Sequence, residues 1–450
     1  MARSTPSTRS SLSSARSGPT SSSLRPEEAS EERRNARRGF LQLQELECLR
    51  ASKRARHHFD PLPDSDEDED ADHAILDNFQ ALGADSVLKL CNFTVAEISR
   101  LWSRVSGYMA TRWNVGKGNK HRESGIDVLF ISLCVLKNGG RWDLLASTFN
   151  MKAPTFEKKV VHFLDILSPF LFKIYVDHAE RDRTMRREVL EGHAFQHYPE
   201  ARYAVGVTFQ QANMPGGTQQ ERASYYSKKH KLHGYKTEVS VLPTGLAINC
   251  SRHYKGSEAD ITIFRKNKAF HVAAATKPAT DDSMADDGPL RETYPDSWMI
   301  LADKGYQGLA SEMRVLIPKR SRPAVPLTVE EEAVNHDISS DRVVVENYFG
   351  RLCTLWSLCS DKYRWQEVKY EVFFRACVAL TNVHVRDHPL RAEDGEHYRD
   401  YLRSLNSIGT ERRARRLEAN RRSRRRRQLR LETAEAVVDS DVSSDQSTAY

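Results

Sequence analysis

The sequence lacks the features that mark membrane proteins and small zinc-stabilised domains. No uninterrupted apolar run approaches the ~20 residues that a helix needs to cross a bilayer. The longest such stretch, around Val128–Leu136, is typical of a core helix instead. The 450 residues include seven cysteines. They are scattered without a Cys-x-x-Cys pair, which favours reduced, buried thiols in a nuclear or cytosolic protein over a zinc site.

Acidic residues are absent from the first segment, Met1–Arg25, which is rich in Ser, Thr and Arg. Such a composition buries too little apolar surface to order the chain. Pro6 and Pro19 argue against an amphipathic transit peptide. The acidic run Asp64–Asp70 is expected to be solvated, either as a spacer or as an acidic segment that competes with DNA for a basic surface. Residues 1–73 are therefore predicted to be a disordered N-terminal tail.

Basic residues exceed acidic ones, 68 against 61, which gives a net charge of +7. This balance favours anionic partners, nucleic acid first among them. The densest clusters, Arg412–Arg416 and Arg421–Arg427, are typical of nuclear localisation signals or of phosphate-binding arms. We therefore predict a nuclear protein, with residues 392–450 as a disordered C-terminal tail that is first basic and then acidic. The predicted DNA contacts in this tail are Arg424, Arg425, Arg426 and Arg427.

Residues 74–180 have the spacing of helices. Thr94 and Glu97 fit a capping box at a helix start. Further helices are predicted at Gly125–Leu136, at Arg141–Phe149 and from a cap at Thr155. This order of helices and turns fits a helix-turn-helix DNA reader, in which Lys158 and Lys159 would contact DNA. It fits an ordinary helical bundle with lysines on its outer face equally well.

Residues 200–391 change to strands interleaved with helices. The apolar, β-rich segments are Tyr203–Phe209, Tyr235–Val241, Leu246–Cys250, Trp298–Ala302 and Val315–Pro318, and Ser340–Trp356 has a helical apolar face. Lys268–Arg291 is predicted to be a surface loop. The alternation indicates an α/β domain built around a mixed sheet.

Two carboxylates stand out in this α/β region. Asp303 follows a buried strand, so it is expected to project from the sheet edge into a crevice of the kind in which α/β folds bind ligands. Glu346 lies four residues after Arg342, and both share one face of a predicted helix. Glu346 has apolar neighbours in the sequence, and burying a carboxylate that has no binding partner would cost free energy of folding. Both side chains are therefore candidates for a functional site.

The segments Leu301–Tyr306 and Arg342–Leu352 together resemble the second and third catalytic segments of DDE-type transposases of the Harbinger-like superfamily. Three further segments match in the same order: Gly234–Lys236, Gly256–Asp260 and Thr381–His384. The similarity covers roughly Phe93 to Arg391. It implies an RNase H-like catalytic domain preceded by an all-α, helix-turn-helix-like region.

The resemblance also implies a chemistry. In this family three carboxylates hold two Mg²⁺ or Mn²⁺ ions, which clamp the attacking and leaving oxygens of a DNA phosphodiester. Asp303 and Glu346 match the second and third carboxylates as catalytic residues and metal ligands. The first is expected at the position of Gly206, which has no side chain to donate. Asp260 stands either near the metals or as a cap of the following helix.

The sequence thus favours a transposase-derived, metal-dependent nuclease that acts on DNA and is impaired at one catalytic position. A homo-oligomer is compatible with it, and no membrane partner is expected. The alternative is a non-catalytic DNA-binding protein domesticated from a transposase. Gly206 favours that alternative, whereas the retained Asp303 and Glu346 favour an enzyme. We expect little strand cleavage from the chain as it stands, and some recovery in a Gly206→Asp variant.

Overall fold

The structure, a computed structural model, describes residues 74–83, 85–117, 120–321 and 326–445. The predicted N-terminal tail, residues 1–73, lies outside the described residues. So does the short C-terminal segment 446–450.

Helices make up most of the described chain before the first strand. They are α1 (Ala74–Ala81), α2 (Ser86–Cys91), α3 (Val95–Ala110), α4 (Gly125–Asn138), α5 (Trp142–Thr148), α6 (Ala153–Phe172), α7 (His178–Asp182) and α8 (Met185–Leu190), with a π-helical turn at Lys173–Asp177 between α6 and α7. The capping box predicted at Thr94 and Glu97 is present at the start of α3. Helix α6 begins at Ala153, ahead of its predicted cap Thr155, because Pro154 fits the first turn of a helix.

Helix α4 is the centre of this helical region. Every residue from Ile126 to Leu136 is buried, as expected for a helix that packs on all sides. Its buried Asp127 accepts a hydrogen bond from the Leu76 N–H at 2.9 Å, which ties α1 to α4. Within the described ranges, no helix combines the length and apolarity needed to span a bilayer.

In the described part of the chain, seven strands form one mixed sheet. They are β1 (Ala201–Gln211), β2 (Tyr226–Ser227), β3 (Leu232–Val241), β4 (Ala247–Cys250), β5 (Tyr254–Lys255), β6 (Met299–Leu301) and β7 (Val315–Leu316). The order is β2-β3-β1-β6-β7, and β4 and β5 also pair with β3. Strand β1 is antiparallel to β3 and parallel to β6, and β6 is parallel to β7. The predicted mixed α/β architecture is confirmed.

The remaining helices are α9 (Gln219–Ser224), α10 (Asp260–Lys266), α11 (Lys268–Ala275), α12 (Val329–Leu355), α13 (Ser357–Ser360), α14 (Glu367–Asp387) and α15 (Ala392–Asp445). Helix α11 corrects the prediction of a surface loop from residue 268, because His271 and two alanines of this helix pack into the core. Helix α12 starts well before the predicted residue 340, at a capping box formed by Thr328 and Glu331.

Helix α15 also corrects a prediction. Residues 392–445 were expected to belong to a disordered tail, and they form one long helix. Its first turns pack on α12, and further along Arg415 and Arg422 pair with Glu411 and Glu418 four residues earlier. Such i, i+4 pairs stabilise a polar helix that has little apolar surface to bury.

The contact between α12 and α15 explains the Phe-Gly-Arg-Leu part of the α12 sequence. A Cβ on Gly350 would lie 1.6 Å from the Asp394 carbonyl oxygen, so only glycine allows the two helices to approach this closely. The next residue, Arg351, donates two hydrogen bonds to the Asp394 carboxylate, at 2.9 and 2.7 Å. This bidentate pair fixes the start of α15 against α12.

Strand β1 is covered on both faces. Ala204 packs in the same core cluster as Val345 of α12, whereas Val205 packs in a second cluster with Phe264 of α10. Because successive residues of a strand point to opposite faces, Gly206 faces α12 and Val207 faces α10. The candidate site is built around this strand.

Candidate functional site

Asp303 lies just beyond the end of β6, as the sequence predicted. Leu301 pairs with Ala204 in the parallel β1–β6 register. Asp303 therefore follows β6 at the level that Gly206 occupies on β1. The Asp303 carboxylate caps a short 3-10 turn by accepting a hydrogen bond from the Gly305 N–H at 2.5 Å.

Asp260 lies beside Asp303. It is the first residue of α10, whose N-cap is Ala259. The helix-capping alternative is therefore wrong, and the Asp260 carboxylate instead accepts a hydrogen bond from Lys236 Nζ at 2.8 Å. A Cβ built on Gly305 would lie 2.8 Å from Asp303 Oδ1 and 2.9 Å from Asp260 Oδ2. The two carboxylates thus flank one point, and glycine at position 305 leaves room for both.

Glu346 projects from α12 toward α15. Its side chain is 44% exposed and lies 3.5 Å from the guanidinium of Arg399. Near it, the pKa of the Tyr398 hydroxyl is raised, first by burial and further by the negative charges of Glu346 and Asp260. Glu346 and Asp260 therefore both lie within electrostatic range of one hydroxyl. Arg342, one helical turn before Glu346, donates to the Val205 carbonyl at 3.4 Å.

Gly206 stands where the family resemblance expects the first carboxylate, and the space beside it is filled. A Cβ at this position would lie 2.7 Å from Val345 Cγ1 and 3.4 Å from Phe349 Cε2. Contacts below 3.0 Å require a neighbour to move, and the stiff, branched valine has little freedom to do so. An aspartate cannot simply be inserted here, because α12 packs against the bare glycine.

No residue of β1 replaces the missing group, because the strand contains no Asp or Glu. The nearest upstream candidate, Glu200, comes just before the strand. Its carboxylate lies beside Gly288, where a glycine Cβ would meet Glu200 Oε2 at 3.0 Å and Arg314 Nη2 at 3.1 Å. The six residues from Glu200 to Gly206 span about 20 Å of extended strand. Glu200 is therefore remote from Asp303.

The carboxylates as folded do not fit a two-metal cluster. Within the part of the chain that the structure describes, no three His, Cys, Asp or Glu side chains converge closely enough to hold a metal ion. Asp260 is neutralised by Lys236, and Glu346 lies against Arg399. Divalent-metal chemistry is typical of the DDE superfamily. In this structure, Lys236 and Arg399 already pair with these two carboxylates, so a metal ion would compete with both cationic side chains.

A buried polar network supports the Asp303 turn, and sequence reasoning missed it. Glu238 of β3 is fully buried and accepts a hydrogen bond from the Tyr306 hydroxyl at 3.2 Å. His271 Nε2 lies 2.9 Å from the same carboxylate, and His271 Nδ1 lies 2.9 Å from the Tyr203 hydroxyl. The pKa of Tyr306 is raised by burial first and then by the charges of Glu238, Asp260 and Asp303. The alternation of β3 suggests one solvated face, so Glu238 gave no signal of burial.

The residues predicted to contact DNA differ in their exposure to solvent. Lys158 is exposed on α6. Lys159 is buried, and its ammonium pairs with Glu123 and approaches Met151 Sδ. It is therefore not presented to an external phosphate. Arg424–Arg427 are exposed along α15.

Comparison with known proteins identifies one family for the segment that contains these carboxylates. Residues 206–382 match the family described as DDE superfamily endonuclease. The match contains Gly206, Asp260, Asp303 and Glu346, and it supports the DDE-type transposase family for this segment, with DNA as the implied substrate. Comparisons with curated proteins and with solved structures return no match.

Proposed function

We propose that the chain is a transposase-derived, Harbinger-like nuclease with an RNase H-like catalytic domain, whose DNA strand cleavage is impaired. The observation that carries this proposal is Gly206, which packs against Val345 in the segment that matches the endonuclease family. Asp303 and Glu346 are the proposed remaining catalytic carboxylates and the ligands for Mg²⁺ or Mn²⁺. Asp260 is proposed to lie next to such a metal.

The impairment follows from charge and geometry. Two-metal phosphoryl transfer depends on ligands that fix both ions in line with the scissile bond. Gly206 contributes no oxygen, and the space of its side chain is apolar. Lys236 and Arg399 each offer an intramolecular counter-charge to a carboxylate that a metal would need. At Asp260 and Glu346, an ion would therefore compete with a cationic side chain that is already in place.

A second candidate function is a non-catalytic DNA-binding protein that retains the endonuclease fold. The exposed arginines of α15 favour it, because they offer phosphate contacts that do not depend on cleavage. We propose that the same arginine clusters direct the protein to the nucleus. The two functions differ in one respect: only the impaired nuclease can be restored by rebuilding the site.

A nicking assay on supercoiled plasmid with Mg²⁺ or Mn²⁺ separates these possibilities. The variants are Gly206→Asp and Gly206→Asp/Val345→Ala, where the second substitution makes room for the new carboxylate. Each is compared with the same variant carrying Asp303→Asn. We expect background nicking from the unmodified chain, and metal-dependent nicking from the double variant that Asp303→Asn abolishes.

Two results would contradict the proposal in different ways. Strong metal-dependent nicking by the unmodified chain that disappears in Asp303→Asn would show that the site is not impaired. A folded double variant that binds DNA and never nicks it would favour the non-catalytic function. Circular dichroism of every variant, recorded beforehand, verifies that the fold is intact.

A further inference from the structure

Helix α15 crosses the turn between β2 and β3, and the crossing is closely fitted. A Cβ on Gly409 would lie 2.0 Å from the His230 carbonyl oxygen, so the helix rests directly on the turn. Leu405 packs with Phe209 and Leu232 beneath it. These contacts join two segments that are about 180 residues apart in the chain, and the side chains that form them are buried, so the crossing is part of the packed fold.

The crossing gathers positive charge. The turn carries Lys228 and Lys229, which are exposed, and Lys231, whose Nζ donates to Thr410 Oγ1 at 3.2 Å. On α15, Arg412 and Arg416 continue the helix face of Leu405 and Gly409, because they follow at helical spacing. Lys362, in the loop after α13, lies within electrostatic range of Arg412. We call these six residues the basic junction: Lys228, Lys229, Lys231, Lys362, Arg412 and Arg416.

The charges of the basic junction are uncompensated. Among the residues that the structure describes, none of its six cations forms an ion pair with a carboxylate. Together with burial, this excess of positive charge lowers the pKa of neighbouring basic groups. Burial lowers the pKa of His233 at the start of β3, and Arg416 and Arg412 lower it further. The pKa of Lys362 is lowered by burial and then by Arg412.

One lysine of the turn is held in a strained backbone conformation. Lys231 has a φ of 57°, in the left-handed region that glycine and asparagine adopt with less strain. The turn therefore keeps a cation at a position where a neutral residue would suit the backbone better. The Lys231 side chain is nevertheless anchored on α15 through Thr410, so its charge is held at the crossing.

We propose that the basic junction binds the phosphate backbone of duplex DNA beside the catalytic carboxylates. This rests on the proposed function, which makes DNA the substrate. Strand β1 connects the two places: Gln211 pairs with Gly234 at the end near the turn, and Gly206 lies five residues away on the same strand. That separation is about 17 Å, or about five base pairs along a duplex. A duplex bound at the junction and running along β1 would therefore reach the level of Gly206 within about half a helical turn.

Salt-dependent binding of the full chain to a duplex of about 30 base pairs tests this inference. The junction variant is Lys228→Gln/Lys229→Gln/Lys231→Asn, in which asparagine relieves the strain at residue 231. The charge-matched control is Lys89→Gln/Lys173→Gln/Arg181→Gln, which removes three exposed cations outside the junction. Fluorescence anisotropy at several salt concentrations gives the affinity and its salt slope.

We expect the junction variant to bind roughly ten- to a hundredfold more weakly near 0.15 M salt, with a slope of log K against log salt reduced by about 2 to 3. The control should change both quantities much less. Equal effects in the two variants would overturn the inference, because the lost affinity would then reflect net charge alone. So would a junction variant that loses binding to an acidic polypeptide and keeps binding to DNA.

The proposed function and this inference fail in different experiments. Plasmid nicking by the rebuilt site tests the first, whereas the comparison of the junction variant with its control tests the second. If the rebuilt site nicks DNA while both triple variants bind equally, the nuclease proposal stands and the basic junction does not bind the substrate. Melting temperatures of the triple variants that do not fall below that of the unmodified chain verify that the fold is retained.

Discussion

Gly206→Ala adds one methyl group to a strand that has no room for it. Its Cβ would lie 2.7 Å from Val345 Cγ1, whereas carbon atoms in contact prefer about 3.5–4.0 Å. Overpacking of this kind costs about 1–3 kcal/mol. The reduced backbone entropy of alanine offsets about 0.5–1 kcal/mol of that cost. We expect Gly206→Ala to be destabilised by about 1–2 kcal/mol.

The structure also predicts that Val345→Ala relieves this strain. Val345 is 2% exposed, so removing two methylene equivalents costs about 1.6 kcal/mol in burial, plus a cavity term. In the double variant the new methyl group occupies part of that cavity. Gly206→Ala/Val345→Ala should therefore be more stable than the sum of the two single effects by about 1–2 kcal/mol.

Denaturant unfolding of the four proteins in this double-mutant cycle measures the coupling. The matched control replaces Val344, which is half-buried beside Val345 and does not meet the Cβ position of residue 206. A cycle with Val344→Ala should be additive within about 0.5 kcal/mol. A neutral or stabilising Gly206→Ala that adds to Val345→Ala would refute the packing that explains the missing carboxylate.

Three further predictions concern packing and buried charge elsewhere in the fold. Burial lowers the pKa of His230 to about 4, so unfolding takes up a proton and the free energy of unfolding should fall as pH drops from about 6.5 toward 4. A His230→Gln variant should show a shallower fall in melting temperature over this range, and an identical pH profile would contradict this. Lys159→Met leaves the carboxylate of Glu123 unpaired, so it should lower the free energy of unfolding by about 2–4 kcal/mol with DNA affinity unchanged; weaker binding by the folded variant would restore Lys159 as a DNA contact. Gly350→Ala forces a methyl group against the Asp394 carbonyl. Helix α15 should therefore be cleaved near residue 394 at protease concentrations that leave the unmodified protein intact. Equal resistance of the two proteins would contradict the close approach of the two helices.

Local patterns predicted the elements that carry the site. The apolar run before Asp303 and the helical face that includes Glu346 give strand and helix signals within a dozen residues. Both elements are present with those carboxylates at the predicted places along the chain. The capping box at Thr94 and Glu97 is equally local. Short-range periodicity and capping thus specify the framework of the site.

Long-range pairing could not be predicted in this way. Lys159 is buried, and its partner Glu123 lies in the loop before α4, more than 30 residues earlier in the chain. The space beside Gly206 is occupied by Val345, about 140 residues later in the chain. Asp260 meets Lys236 across two elements and not the N–H groups of its own helix. Each outcome depends on which elements pack together, and neither residue of such a pair carries a local signal of the other.

The continuity of α15 has a thermodynamic consequence. When a disordered arginine arm binds a phosphate backbone, it loses backbone freedom, about 1–2 kcal/mol for each ordered residue, and side-chain freedom in addition. Helix α15 has already lost the backbone part of that freedom, because one uninterrupted helix runs from the pair between Arg351 and Asp394, over the turn at Gly409, to the arginine clusters. The spacing of its charges is thus set during folding. A larger part of the free energy of each arginine–phosphate contact therefore contributes to binding affinity.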